Sequence, residues 1–365
     1  MSHAPVTVGG FTVPADCQRI YITAQLEPSN GDPRIQPTGF PDVGPVCYPD
    51  PNTDPETTKG LICLIQSEPA MANLLEETCL GDKYTGTLKE ALAGLPYIRV
   101  TRDGQSNGDF VTSSTIDGHR FASEYLMAST GRFENNGQEE DLLDYVKRKL
   151  GASASGDHVP AANVPGIFEL AMELDPLSLI HGFQISIKKR LTFVGLRSPR
   201  ALTACILGYH CQQRPVPGVR LDPIGTGEAG QAIFQKERIV ARDIEAKFSI
   251  DVGLLAGMRL AGAGNTTLQD HRFKLLLGLA LWKVATLLKE LEIERSLRTE
   301  CKLRLMEGDS VKYTCNGRSA CQKFDYTGIV EARSSNGGTE TVLQQFIGDA
   351  CLPQNRSPLT LMLSA

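Results

Sequence analysis

The chain has 365 residues, of which 41% are hydrophobic and 22% charged, so it can bury an ordinary core in one large domain or two smaller ones. The net charge of -5 argues against binding of nucleic acid through overall charge, and no apolar run is long enough to span a membrane. The N-terminus lacks a signal-peptide pattern, and none of the ten cysteines forms a C-x-x-C pair. We therefore expect a cytoplasmic protein with reduced cysteines.

The first part of the chain predicts strands and one helix. RIYITAQL (19–26) alternates strictly, as a half-buried strand does, and LICLI (61–65) is typical of a central strand. The residues between them, about 28–55, are rich in proline and glycine and predict a long irregular segment. Ser67 is a suitable N-cap for a helix that runs towards Cys79.

The middle of the chain continues this mixed pattern. LPYIRV (95–100) predicts a strand, Asp117 an N-cap of a second helix, and residues 131–160 a loop. GFQISIKKRLTFVG (182–195) is consistent with one long strand or with a hairpin bent at Lys188-Lys189-Arg190. LRSPRALTACILGYH (196–210) predicts a third helix with Ser198 as its N-cap.

The last elements are a strand at AKFSID (246–251), a long central helix over 273–293 and a strand at CKLRL (301–305). This order indicates an α+β fold, a sheet with helices on one face.

Charge gives the strongest functional signal. From Pro176 to Leu221 there is no Asp or Glu, but there are seven cations: Lys188, Lys189, Arg190, Arg197, Arg200, Arg214 and Arg220. Such a segment in a net-negative chain favours a phosphate-binding surface over a solvated strand edge.

Three predicted helix starts carry polar or basic residues: Gln66-Ser67, His119-Arg120 and Arg197-Ser198-Pro199-Arg200. Capping explains the serines, but a cation at a helix start opposes the helix dipole. We therefore expect these arginines to meet an anion.

Motifs for catalysis or cofactors are weak. Gly225, Gly227 and Gly230 fit G-x-G-x-x-G, but no buried strand precedes them. There is no P-loop, helical metal pair or nucleophile elbow. Asp103 and Asp109 are typical of turns. We expect no cofactor, no metal and no catalytic residue.

Five segments in order resemble a known family: IQPTGFPDVGPVCY, LIQSEPAMANLLEE, VTSSTIDGHRFASEYL, DPLSLIHGFQ with LRSPRALTACILG, and SLRTECKLRL. Together they resemble the backbone subunit of type I CRISPR surveillance (Cascade) complexes, the Cas-seven family of the RAMP superfamily, and most closely its subtype I-G, formerly I-U. The resemblance runs from about residue 20 to about 305.

The resemblance implies an RRM-like (ferredoxin-like) palm over residues 1–305, with an inserted thumb at about 28–58 and fingers at about 130–165, followed by a C-terminal extension over 306–365. Several copies would form a filament along a CRISPR guide RNA and present it to a target DNA strand. Other Cascade subunits and a recruited helicase-nuclease would be the partners. The predicted RNA contacts are Arg34, Gln36, Phe40, Gln66, Ser67, Asn73, Arg102, His119, Arg120, Lys188, Lys189, Arg190, Arg197 and Arg200.

Two alternatives remain open at this stage. The first is a metal-dependent endoribonuclease of the same superfamily, with Asp117 or Asp109 at its centre. The second is an α+β protein that binds a small molecule. Because aromatic residues make up only 6% of the chain and no aromatic pair marks a predicted central strand, we expect contacts to the RNA backbone rather than base stacking on the sheet.

Overall fold

The structure is a computed structural model. It describes residues 3–40, 44–51, 60–133, 139–152, 163, 165–185, 196–214, 238–258, 260, 265–297, 301–317, 320–331, 341–352 and 358–363. Among these residues, no helix combines the length and the apolar content that crossing a membrane would need.

The described part of the chain is a mixture of strands and helices. The strands are β1 (Val6–Val8), β2 (Phe11–Val13), β3 (Arg19–Pro28), β4 (Arg34–Ile35), β5 (Gly39–Phe40), β6 (Gly44–Pro45), β7 (Cys47–Pro49), β8 (Leu61–Gln66), β9 (Leu80–Asp82), β10 (Thr87–Leu88), β11 (Ile98–Thr101), β12 (Phe110–Ser113), β13 (Thr130–Gly131), β14 (Glu140–Asp141), β15 (Phe183–Ile185), β16 (Leu196–Ser198), β17 (Leu202–Arg214), β18 (Arg238–Val240), β19 (Asp243–Asp251), β20 (Arg295–Ser296), β21 (Lys302–Leu305), β22 (Val311–Cys315), β23 (Gln322–Lys323) and β24 (Leu359–Met362). The α-helices are α1 (Glu68–Glu77), α2 (Glu124–Met127), α3 (Leu142–Lys149), α4 (Gly166–Leu174), α5 (Leu177–His181), α6 (Val252–Gly257), α7 (Thr266–Leu291), α8 (Tyr326–Glu331) and α9 (Val342–Asp349), and short 3₁₀ helices cover Glu90–Leu92 and Arg120–Ala122.

The largest sheet is antiparallel and is built on the long strands β3, β19 and β17. β8 and β7 extend it beyond β17, and β21 and β22 pair with the other side of β3. Buried and half-exposed residues alternate along β3 and β19, because successive side chains of a strand point to opposite faces. The strands predicted at 19–26, 61–65 and 246–251 are confirmed.

A second sheet has the strand order β12-β11-β24-β13-β14, in which β11 and β24 run parallel. The strand predicted at 95–100 lies here as β11. Residues 306–365, which the resemblance leaves as an extension, contribute β24 to this sheet and β22 to the largest one.

The helix α7 occupies the centre of the core, which confirms the helix predicted at 273–293. It is buried on all sides along most of its length and packs against α1, α5, α6, α8 and α9. Its N-cap is Asn265, whose side-chain oxygen accepts a hydrogen bond from the backbone N–H of Leu268. The fold is therefore α+β, as expected.

The helix predicted over 196–210 is wrong, because this segment forms β16 and the long strand β17. Ser198-Pro199 imitates a helix start. The following residues have the period of a strand instead: Leu202, Ala204 and Ile206 are buried, and the residues between them are only half-buried. Pairing with β19 from Leu202 to Tyr209 then fixes this strand in the sheet.

The segment before β16 is a hairpin rather than one long strand. β15 pairs antiparallel with β16, with Phe183 opposite Ser198 and Ile185 opposite Leu196. We call this pair of strands the hairpin stem. The bend predicted at Lys188-Lys189-Arg190 lies outside the described residues.

Three further predictions need correction. Residues 142–149, predicted as part of a loop, form α3, because Leu142, Leu143 and Val146 make one buried face. The stretch 28–55 contains the short strands β4 to β7. The helix predicted from Asp117 is reduced to a 3₁₀ turn and the short α2, whose N-cap is Ser123.

One pair of cysteines differs from the expected reduced state. Cys47 and Cys63 lie opposite each other in β7 and β8 and form a disulfide.

The stem depends on a close backbone approach at Gly182. Its φ is +74°, and a Cβ there would lie 2.6 Å from the carbonyl oxygen of Ser198. We expect Gly182→Ala to lower the free energy of unfolding by about 1–3 kcal/mol, measured by urea denaturation. Gly348→Ala is the control, because a Cβ there meets nothing within 4 Å and should not destabilise. Equal stabilities of the two variants would contradict this account of the stem.

Candidate nucleic-acid interface

We call the span from Pro176 to Leu221 the acid-free segment. Its described residues, 176–185 and 196–214, form α5, the hairpin stem, the connection after β16 and the strand β17. Arg200 is exposed in the connection between β16 and β17. Arg197 belongs to β16, opposite Gln184, and its side chain lies outside the described residues. Because no helix begins here, the N–H groups of a helix N-terminus do not support an anion site, and any phosphate contact must come from the cations themselves.

The stem rests on a cluster of buried polar side chains, which we call the buried ionic cluster. Its buried members are Arg120, Asp175, Ser178, His181 and Lys283, and Glu76 lies at its edge with 16% of its side chain exposed. The guanidinium of Arg120 forms an ion pair with the carboxylate of Glu76 and donates a hydrogen bond of 3.1 Å to the carbonyl oxygen of Gly182, at the foot of the stem. Arg120 therefore ties α1 to the stem.

The remaining members of the buried ionic cluster connect α5 and α7 to the same region. Lys283 of α7 is fully buried and donates to the carbonyl oxygen of Leu75 at 3.3 Å. The hydroxyl of Ser178 donates to Asp175 at 2.5 Å and accepts a 3.1 Å bond from the N–H of Phe121. A cavity of about 10 Å³ lies among these side chains, close to the size that holds one water molecule.

Burial dominates the proton equilibria of this cluster. It raises the pKa of Asp175 above the ordinary value, although Ser178, Ser114 and the charges of Arg120 and Lys283 act the other way. It lowers the pKa of His181 well below its usual range, and the positive charges of Lys283, Arg120 and Arg200 lower it further. His181 is therefore neutral at pH 7.

The predicted contacts in 66–73 lie together beside α1. Gln66 is buried at the end of β8, Ser67 is the half-buried N-cap of α1, and Asn73 is exposed one turn further on. The N-cap prediction for Ser67 is confirmed by position, although its side chain makes no capping hydrogen bond. Gln66 and Asn73 line one groove with Arg295.

The other predicted contacts are spread over the molecule. Arg34 is exposed and paired with Asp32, and the backbone N–H of Gln36 donates to the sulfur of Cys301. Phe40 pairs with Gly44 through β5 and β6, and its side chain is outside the described residues. Arg102 and His119 are exposed.

Arg120 meets the anion that the sequence led us to expect, but that anion is Glu76 of the same chain. Its backbone φ of +55° lies in the left-handed region, and it begins a short 3₁₀ helix rather than the predicted α-helix.

Sequence reasoning missed the aromatic residues on the half-exposed face of the largest sheet. Tyr21 of β3 and Tyr209 of β17 lie on that face, and the ammonium of Lys247 is 4.9 Å from the ring of Tyr209. Tyr21 lies on the exposed face of the strand predicted at 19–26. Tyr209 falls in 196–210, which the sequence predicted as a helix, so its place on the sheet was not predicted. The two tyrosines are on different strands, opposite Ser249 and Asp243 of β19, so they do not form a stacking pair, and the expectation of contacts to the RNA backbone stays a prediction.

Arg120 should matter for stability rather than for RNA affinity. Arg120→Met leaves the half-buried carboxylate of Glu76 without its partner and removes the bond to Gly182, and we expect the free energy of unfolding to fall by about 2–3 kcal/mol in urea denaturation. Arg132→Met is the control, because Arg132 pairs with Glu139 in the solvent and its loss should cost at most about 1 kcal/mol. Equal losses would contradict the anchoring role.

His181 should make the protein acid-sensitive. Because its folded-state pKa lies below the ordinary 6.5, only the unfolded chain binds the proton as the pH falls below 6.5. The free energy of unfolding then falls by at most about 1.4 kcal/mol per pH unit. His181→Gln removes this contribution, so the difference between wild type and variant should be constant above pH 7.5 and change between pH 6.5 and 5. Parallel stability curves over that range would show that His181 is not buried in the neutral form.

A comparison with known protein families gives a match that includes the hairpin stem. A family model described as CRISPR-associated protein GSU0053 matches residues 20–213, just over half of the chain. The matched span begins in β3, ends in β17, and contains α1, the hairpin stem and most of the buried ionic cluster. No curated protein matches the chain.

Proposed function

The chain belongs to the family of CRISPR-associated proteins described as GSU0053 and so has a role in CRISPR defence, and from this premise we propose that it is an RNA-binding backbone subunit of a type I surveillance complex. Within that proposal it is a Cas-seven protein of subtype I-G with an RRM-like palm. Copies of the chain line a guide RNA in the cytoplasm and leave the bases free to pair with a target DNA strand. Base pairing then reads the sequence, and the protein holds the RNA backbone.

The observation that carries this proposal is the placement of the acid-free segment. In a chain of net charge -5, the span from Pro176 to Leu221 holds seven cations and no carboxylate, and five of the seven cations lie within the family match. It forms a hairpin stem and the strand that follows, with Arg200 exposed between them. A cationic hairpin set on a rigid anchor suits the phosphates of a single strand.

The subunit is proposed to be non-catalytic. The carboxylate of Asp117, the candidate centre of a ribonuclease, accepts a 2.8 Å hydrogen bond from the N–H of His119 and a 2.7 Å bond from the hydroxyl of Ser123. Asp117 thereby stabilises the turn in which it lies. Within the described residues, no group of three or more His, Cys, Asp or Glu side chains is arranged to hold a metal ion.

Salt dependence of guide-RNA binding tests the proposal. We expect Arg200→Ala to weaken binding of every guide sequence alike, because a phosphate contact does not depend on base identity. The log–log dependence of affinity on salt should flatten by roughly 0.7 units for one lost contact to a single strand. The triple replacement of Lys188, Lys189 and Arg190 by Ala should flatten it further. Fluorescence anisotropy at several salt concentrations measures both quantities.

Arg132→Ala is the matched control, because its charge is already neutralised by Glu139. Its salt slope should equal that of the wild type. If all variants kept the wild-type affinity and slope, the acid-free segment would be a solvated edge and the proposal would fail. Periodic cutting of the RNA in Mg²⁺ that Asp117→Asn abolished would favour the ribonuclease instead.

A further inference from the structure

A second concave site lies beside α1, on the side of its first two turns. It is a groove of about 580 Å³, lined by Gln66, Ala70, Asn73, Leu74, Glu77, Glu294, Arg295, Ser296 and Leu297. This volume is in the range of sites that enclose small organic ligands. We call it the α1 groove.

Gln66 is the unusual residue of the groove. It is the last residue of β8 and lies opposite Ile206 of β17, with 1% of its surface exposed. Its Oε1 atom has no hydrogen-bond partner among the residues that the structure describes. A buried polar atom without a partner is destabilising, and such atoms are rare in folded proteins. A ligand in the groove that brings an N–H donor would satisfy it.

The charges around the groove disfavour a phosphate. Arg295 is held by two carboxylates, those of Glu77 at 2.7 Å and Glu290. Glu294 adds a third carboxylate, paired at 3.6 Å with Lys302. The groove thus presents more acceptor oxygens than free donors, and an anion would approach carboxylates.

The residues that line the α1 groove also restrict the shape of a ligand. Ala70, Leu74 and Leu297 give the groove an apolar lining, and the amide of Asn73 is exposed at its rim. A flat ring with N–H donors along one edge fits a lining that combines apolar side chains with acceptor oxygens. Among the RNA bases, guanine alone carries two adjacent N–H donors on its Watson–Crick edge, N1–H and the amino group, and its O6 is an acceptor for the Asn73 amide.

We propose that the α1 groove receives a nucleobase turned out of the bound RNA strand, with guanine preferred, and that Gln66 accepts a hydrogen bond from its edge. This inference rests on the proposed RNA-binding function, and it adds base selectivity to a protein that otherwise contacts the backbone. Unstacked bases read on their hydrogen-bonding edges are the usual targets of selective RNA recognition.

Binding of short RNAs tests the inference. The probes are oligouridine and alternating U-G, U-A and U-C strands of equal length, measured with the wild type and Gln66→Leu. The wild type should bind the U-G strand at least about fivefold more tightly than oligouridine, the lower end of the gain from one good base contact. Gln66→Leu should lose this preference and bind the U-G strand and oligouridine with equal affinity. It should fold about as stably as the wild type, because the substitution removes an amide oxygen that has no partner among the described residues.

Two further variants provide a second test of the groove and a control outside it. Asn73→Ala, at the exposed rim, should reduce the preference for guanine even if Gln66→Leu fails to fold. Gln322→Leu replaces an exposed glutamine that bonds to Tyr313 outside the groove, and it should keep the full preference.

Titration with free guanosine, observed by NMR, separates this inference from the proposed function. RNA binding by the wild type without base preference, and no shifts with guanosine, would overturn the nucleobase site and leave the RNA-binding function intact. Guanosine shifts that Gln66→Leu abolishes, in a protein that does not bind RNA, would support the site and overturn the function. Loss of self-association or of a protein contact in Gln66→Leu, with base preference unchanged, would make the groove a protein-docking site and overturn the inference.

Discussion

The largely buried ion pair between Arg120 and Glu76 connects the parts of the molecule on which the proposed function depends. Glu76 belongs to α1, and Arg120 also donates to the carbonyl oxygen of Gly182 at the foot of the hairpin stem. Lys283 reaches the same region from α7, the helix at the centre of the core. Because an ion loses much of its hydration on burial, these charges are tolerated only in this mutual arrangement. The stem is thereby fixed to the core at one place, and a cationic segment needs such a support to hold a strand in one register.

The exposed cations of the chain differ in whether a carboxylate of the same chain lies beside them. Several exposed cations are neutralised locally, for example Arg34 by Asp32, Arg304 by Glu27 and Lys323 by Asp309. The acid-free segment has no carboxylates of its own, so its cations are available to phosphates unless another segment supplies the partner. The α1 groove has the opposite character, with carboxylates and an amide oxygen that has no partner in the described part of the chain. Under the two proposals, contacts to the RNA backbone and to a base fall on different surfaces.

Strands and helices with one strong period could be predicted from the sequence, and those with mixed signals could not. RIYITAQL and the apolar helix around Lys283 each follow a single pattern, and both are confirmed. At 196–210 a serine and a proline favour a helix start, while the alternation from Leu202 onwards favours a strand, and only pairing with β19 decides between them. The sequence predicted the candidate site as a stretch of cations. It did not predict the contacts of Arg120 with Glu76 and Gly182 that hold the stem. Nothing local in the sequence shows that Arg120 turns inward to Glu76, 44 residues away. Likewise, the groove joins Gln66 to Arg295 only through the fold.

The most direct test of the central claim is the nucleic-acid content of the protein after co-expression with a guide RNA. The ratio of absorbance at 260 nm to that at 280 nm, followed across a size-exclusion column, reports bound RNA and the size of the assembly together. We predict a single large species with a ratio well above that of protein alone, which releases its RNA as the salt concentration is raised. A monomeric protein that elutes free of nucleic acid at low salt would contradict the account.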